Sequence, residues 1–344
     1  MDVLKMVVYL LLLQSLPLTA IYSSNGEASN QRYNAVIVAQ VCLLVAFWLF
    51  FGGYAVDSWR FLTGFWRPYL NYGNEQGFWI TGNLLSRIVI DPWPVKIMAA
   101  AGTFMLSLAL LRFFGSEDKE LRIIALFLLP IVPAYFLTYG NVLRQGLGAT
   151  IVVVGILCFL NRRYLLFLSC VLLGVLFHNT SPVLAAALLA AFYCPGLAVP
   201  ALVALPWVSF TAYYVLQLFD VDLGIFVKYA YYDEGSFHYM KFLVGYSAAW
   251  IVWVVSKNWD SHHRVLALTY IYVVAISSMI LKYEVPFERL LLYGDFLLLF
   301  LIPLICRQFF MQNKKVIVAA WCVTTTAGVF LWTHSSVSRT LGYG

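Results

Sequence analysis

Charge is what this 344-residue chain has least of. Its 22 Lys+Arg and 16 Asp+Glu together make up 11% of the residues, where a soluble domain carries about 25%. Apolar residues reach 62%. A soluble fold of this length leaves much of its surface in water and could not hide that many apolar side chains. The deficit excludes a soluble enzyme, a disordered tail and a nucleic-acid module. The net charge of +6 is small and scattered along the chain, so it reads as topology and binding-site charge. The six cysteines, Cys42, Cys158, Cys170, Cys194, Cys306 and Cys322, show no CxxC or CxH spacing, which argues against a disulfide framework or a metal cluster. Walker, GxGxxG and HExxH patterns are also missing, so nucleotide hydrolysis and zinc chemistry have no local support. No metal or cofactor is expected.

What is present is a series of apolar runs, near 3–21, 34–52, 95–113, 121–138, 145–161, 164–178, 182–194, 198–219, 241–256, 264–281, 286–306 and 316–333. A spanning helix needs about 20 mainly apolar residues. The pattern predicts an all-α polytopic membrane protein of about twelve transmembrane helices, with residues 1–344 as one integral membrane domain. The run 182–194 is short for a span and fits a tilted or partial one. Lys5 ahead of the first run resembles a signal peptide, but Leu18-Thr19-Ala20 is a poor cleavage site, so a retained helix is expected. No internal repeat is visible by eye.

Orientation follows from the Lys/Arg bias of short loops. Alternate loops near 22–33, 112–122, 161–164, 194–198, 256–264 and 307–315 hold eleven of the 22 basic residues, in short segments. Density places these in the cytoplasm, although Lys5 then lies outside, against the rule. The segments 53–95 and 220–240 face outward. The outer side keeps basic residues that topology does not require, among them Arg60, Arg67, Arg87, Arg144, Lys228, Lys241, Lys282 and Arg289. One reading is an anionic ligand at the outer boundary. The other is snorkelling, or pairing with Asp57, Glu75, Glu284 and Glu288.

Three pieces meet on that side. Arg144-Gln145-Gly146-Leu147-Gly148 opens a helix that runs inward to Asn161, and Arg162-Arg163 turns the chain into a return helix ending at Phe177-His178-Asn179-Thr180-Ser181. The legs span roughly 21–26 Å at about 1.5 Å per residue. The short turn makes them antiparallel neighbours, so Arg144 and His178 lie at similar depth. Glu284-Val285-Pro286-Phe287-Glu288-Arg289 opens another helix from the same side, with proline in its first turn. Two arginines at equal depth form a plausible clamp for a diphosphate, which guanidinium groups bind bidentately. Gly146 and Gly148 would let a helix or a lipid tail come close.

The third piece is 53–95, where Trp59, Phe61, Phe65, Phe78, Trp79 and other rings alternate with Asp57, Arg60, Arg67, Glu75 and Arg87. These rings fit an aromatic interfacial belt. They equally fit a lid on the outer leaflet that stacks on sugars through Trp59 and Trp79, with Arg60 beside them. Asp57 and Glu75 are then candidate general bases or sugar-hydroxyl acceptors. His178 fits either a helix-end cap or a proton acceptor that neighbouring arginines keep neutral. His262-His263, in a cytoplasmic loop, read as solvated.

At these residues the chain resembles a known family. An Asp-x-x-x-aromatic segment (Asp57 to Phe61), Glu75-Gln76-Gly77-Phe78, Leu143-Arg144-Gln145 and Phe177-His178-Asn179-Thr180-Ser181 occur in this order. The pattern is similar to the EpsG-like group of Wzy-type polysaccharide polymerases, over roughly residues 40–300. The family often has Tyr where Phe61 stands, and the hydrophilic turn 22–33 has no place in the pattern. The resemblance implies a metal-independent glycosyltransferase of the bacterial inner membrane, joining undecaprenyl-diphosphate-linked oligosaccharide repeat units at the periplasmic face. Its partners would be the carrier-linked donor and acceptor, the lipid bilayer, a chain-length regulator and a flippase, with no nucleic acid. Carried over, Arg144, Gln145 and Arg289 become diphosphate ligands. His178 becomes a base or acceptor-positioning group, with Asp57 and Glu75 as competing bases.

Other classes share parts of this pattern. A flippase or other transporter would want ionisable or helix-breaking residues near the midplane. Pro130 and Pro133 break the run 121–138, but the run interiors are nearly free of charge. An acyltransferase, or an O-antigen-ligase-like transferase, would use the same arginines and histidine.

Overall fold

The computed structural model describes residues 28–51, 56–65, 75–115, 118–129, 143–218, 237–281 and 284–309. Among these residues the chain is all helical, with no strand. Twelve α-helices follow in order: α1 (Ala28–Phe51), α2 (Val56–Phe65), α3 (Gln76–Ser86), α4 (Trp93–Phe113), α5 (Lys119–Leu128), α6 (Leu143–Leu160), α7 (Tyr164–Phe177), α8 (Pro182–Tyr193), α9 (Ala198–Leu218), α10 (Phe237–Val255), α11 (Ser261–Ser278) and α12 (Glu284–Phe309).

Nearly every expected apolar run inside the described residues is a helix, to within a few residues at each end. The runs 3–21 and 316–333, the second part of 121–138, and the loop 220–236 lie outside them. Among the described residues, five segments are long and apolar enough to cross a membrane: Tyr33–Phe50, Trp93–Phe113, Leu143–Leu160, Tyr239–Asn258 and Pro286–Gln308. The short run 182–194 has a definite form. Pro182–Tyr193 and Pro195–Thr211 meet at 107°, as a broken span or a re-entrant loop. The fold is that of a polytopic membrane protein.

The chain divides into two units, residues 1–181 with 302–344, and residues 182–301. The first is organised round the α6–α7 hairpin. Its turn is a Schellman motif: Arg163 N–H donates to the Cys158 carbonyl and Arg162 N–H to the Phe159 carbonyl, both at 2.8 Å. Arg162 takes the left-handed position with φ 60°, where glycine is usual. Small residues hold the legs together. A Cβ on Gly155 would stand 2.8 Å from Cys170 Cβ, and one on Gly174 would stand 2.7 Å from Val152 Cγ2. In a lipid solvent such close backbone approach supplies the van der Waals contact that hydrophobic burial supplies in water. α4 packs against α1 on one side and α6 on the other, and α3 rests on α4 and α7.

In the second unit α11 is central, packed against α8, α9 and α10. Tyr272 Oη donates to the Cys194 carbonyl at 2.6 Å, which ties α11 to the bend after α8. Asp260 caps α11 by accepting from the backbone N–H of His262 at 3.0 Å and of His263 at 3.1 Å. Of the two histidines expected to be solvated, His262 is exposed, while His263 is half-buried with its ring against the Asp260 carboxylate.

Candidate functional site: a carboxylate between an arginine and a histidine

Glu75 precedes the first turn of α3, at φ −111° and ψ 45°, and makes no side-chain cap bond. Its carboxylate is used elsewhere. One oxygen accepts from Arg144 Nη1, and the other faces His178 Nδ1. Three elements supply the trio: Arg144 from the first turn of α6, His178 from the residue after α7, and Glu75 from the start of α3. Arg144 and His178 do stand at the same end of the hairpin, as the two leg lengths require. Glu75 is the group that joins them.

Local backbone explains why the three meet. His178 leaves α7 extended, at φ −157° and ψ 125°, with its N–H still on the Gly174 carbonyl at 2.8 Å. Ser181 secures the exit by donating from both N–H and Oγ to the His178 carbonyl, at 3.1 and 2.7 Å. A Cβ on Gly148 would lie 3.1 Å from His178 Cβ and 3.2 Å from the Gly174 carbonyl oxygen, so α6 lies directly against the base of the histidine side chain and the last turn of α7. Gly77 does the same for α3. A Cβ there would lie 2.9 Å from Leu176 Cβ and 3.1 Å from the Leu176 carbonyl oxygen. The Glu75-Gln76-Gly77-Phe78 segment thus pairs a carboxylate with the small residue that lets it reach His178. Sequence spacing alone marked Gly77 only as part of a motif.

Below the trio is an aromatic floor. Phe61, Phe65 and Phe78 are buried against one another, with ring centroids 5.0 Å apart for Phe61–Phe78 and 5.6 Å for Phe65–Phe78. Trp79 is half-buried at their edge. Asn83 Nδ2 donates to the Phe65 carbonyl at 2.5 Å and fixes α2 to α3. The Arg144 guanidinium carbon sits 5.6 Å from the Phe61 ring centre and 5.8 Å from that of Trp79, a cation–π arrangement. These three Phe rings form a packed core rather than a face open to sugars. Trp79 remains partly accessible.

The electrostatics follow from this enclosure. Burial pushes the Glu75 carboxyl up. The His178 hydrogen bond and the Arg144 and His178 charges outweigh burial and hold the group below the ordinary carboxylate range. The side chains of Glu75 and His178 are 11% and 8% exposed, and that of Arg144 is 34% exposed. The site is therefore open on the guanidinium side. The charge in contact with the imidazole is a carboxylate, not the guanidinium that the sequence placed beside it. Glu75 and His178, read from sequence as competing bases, are partners.

The other expected site residues fall elsewhere. Gln145 is fully buried in α6, so it is not open to a diphosphate in this arrangement. Asp57, Trp59 and Arg60 belong to α2, but their side chains lie outside the described residues. Arg289 is half-buried near the start of α12, in the second unit. No group of three or more His, Cys, Asp or Glu among the described residues is placed to hold a metal ion.

A helical, span-rich chain with a buried carboxylate and imidazole and a half-exposed guanidinium gathered at helix ends defines a polytopic membrane protein with a polar site. Among known families, residues 36–343 match the EpsG family, and the chain belongs to it. The family comprises Wzy-like polysaccharide polymerases and exopolysaccharide biosynthesis proteins. No curated protein and no solved structure matches the chain.

Proposed function

We propose that this chain is a membrane glycosyltransferase that polymerises undecaprenyl-diphosphate-linked oligosaccharide repeat units. The reading places it in the bacterial inner membrane, with about twelve spans and the Glu75 site facing the periplasm. One observation carries the proposal: Glu75 bridges Arg144 and His178 in a nearly dry setting.

With Nδ1–H directed at the carboxylate, His178 keeps the lone pair on Nε2 for an incoming hydroxyl, and Glu75 fixes both the tautomer and the ring orientation. The acceptor hydroxyl attacks the anomeric carbon of the carrier-linked chain and its proton passes to Nε2. A glycosidic C–O bond forms. The bond between the anomeric carbon and the diphosphate oxygen breaks, and its electron pair leaves on undecaprenyl diphosphate. The outward part of the Arg144 guanidinium stabilises that leaving charge, where preorganised donors have most effect. Glu75 and the aromatic floor keep it aimed. Arg289 is proposed as a second diphosphate contact, and a chain-length regulator and a flippase as partners.

The test is His178→Ala in cells whose own copy is deleted. Polymer disappears and single repeat units accumulate on the outer face, while the protein still inserts. Unaltered polymer overturns the role of His178. Absence of repeat units from the outer face would instead mark a flippase.

A further inference from the structure

Asp295 stands apart from every other charged residue in the five candidate spans. Lys96, Arg112, Arg144, Lys241, Lys257, Glu288, Arg289 and Arg307 all fall within four residues of a span end, whereas Asp295 is the tenth residue of Pro286–Gln308. Nine residues of helix put it about 13–14 Å from that end, near the middle of a hydrocarbon layer about 30 Å thick. A carboxyl at that depth persists where it has partners or a task.

The second unit supplies both a partner and a route. Glu288 lies two helical turns before Asp295, on the same face of α12, and Lys241 of α10 pairs with Glu288. Lys241 is also close enough to Asp295 for their charges to interact, and so is Tyr270 of α11. The helices close tightly between these levels. A Cβ on Gly245 would sit 3.3 Å from Leu291 Cδ1, and one on Gly294 would sit 3.2 Å from the Tyr270 ring. The Tyr270 hydroxyl donates to the Gly245 carbonyl at 3.4 Å. Titratable side chains thus descend from the end of α12 to its middle along one seam: Glu288 with Lys241, then Asp295 with Tyr270. Tyr270 is fully buried and Asp295 half-buried.

We propose that Asp295 is an intramembrane proton-binding site, exchanging its proton with the outer face along the Lys241–Glu288 pair. A proton adds to the carboxylate to give the neutral acid, with no other bond made or broken. When Asp295 is neutral, the Lys241 ammonium keeps its pairing with Glu288. When Asp295 is ionised, Lys241 is shared between two carboxylates. The inference is independent of the glycosyltransferase reading.

The full chain in proteoliposomes tests it with dicyclohexylcarbodiimide, an apolar reagent that modifies protonated carboxyls, from about pH 5 to about pH 9. Mass spectrometry is expected to find the adduct on Asp295, declining as pH rises, with Asp295→Asn as the blank for that peptide. Lys241→Met removes a cation and should carry the decline to higher pH. Glu288→Gln removes a negative charge from the Lys241 end of the seam and should move the decline to lower pH. A shift of at least about half a pH unit in the stated direction in either variant supports the route. The absence of an Asp295 adduct at every pH overturns the proton site. No shift, or opposite shifts, in correctly inserted variants overturns the route.

Discussion

Glu75→Gln separates the two readings of this carboxylate, base or positioning group. The substitution keeps shape and one acceptor oxygen but removes the charge that Arg144 and His178 share. A hydrogen bond to a charged group is worth about 1.5–3 kcal/mol. The Arg144 contact belongs at the low end, because that side chain is 34% exposed. The His178 contact is better shielded, with both side chains close to 10% exposed. Allowing for the bond that the amide retains, the loss is roughly 2–3 kcal/mol, or about 30- to 150-fold in rate. The assay is polymer formation by purified enzyme in nanodiscs supplied with carrier-linked repeat units. If Glu75 works through His178, then His178→Ala in the Glu75→Gln background costs much less than it does alone. Additive losses would refute the coupling, and an unchanged rate in Glu75→Gln would refute any role for the carboxylate. Acidity gives a second readout. The folded-state pKa of Glu75 lies below the ordinary value of 4.5, so the pairing stabilises the fold above about that pH and the gain is lost as pH falls through the depressed value. Glu75→Gln should remove this part of acid destabilisation, measured by thermal unfolding across pH.

Gly77→Ala pushes the start of α3 off the Leu176 backbone. It should cost about 1–3 kcal/mol of stability and lower polymerisation more than a comparable overpacking remote from the site; full activity would show that α3 can give way. Arg144→Lys keeps a positive charge but loses the planar fork and its stacking on Phe61 and Trp79. Turnover should fall at least about tenfold, and wild-type rates would reduce Arg144 to a point charge. Arg162→Gly relieves a left-handed arginine and should raise the melting temperature by an amount equivalent to about 1 kcal/mol; a lower value would mean that the arginine side chain contributes more than its backbone strain costs. Chelation with EDTA should leave polymerisation unchanged, and inhibition reversed by a divalent cation would contradict the proposed metal-independent transfer.

The helices were legible because hydrophobicity at this density has one physical outlet. The limits of Leu143–Leu160 and Tyr164–Phe177 were written in the run lengths and in the Arg162-Arg163 turn between them. The antiparallel hairpin then fixed Arg144 and His178 at one end, an inference that needs only helical rise and a short loop. The partnership of Glu75 with His178 was not legible, because 103 residues separate them and no local periodicity relates the start of one short helix to the end of another. Phe61 and Trp79 likewise read as belt or lid until their rings were found close to the Arg144 guanidinium. Gly77 needed the Leu176 backbone beside it before its size had a meaning.

The scarcity of charge determined, without any structure, that this chain lives in a bilayer, because 62% apolar residues have no other solvent. It also confined most charged residues to helix ends, since a charge in hydrocarbon is expensive. What tertiary structure alone decided is which of those scarce charges touch. Glu75 is set between Arg144 and His178, and Lys241 is paired with Glu288, through contacts between helices that sequence spacing does not encode.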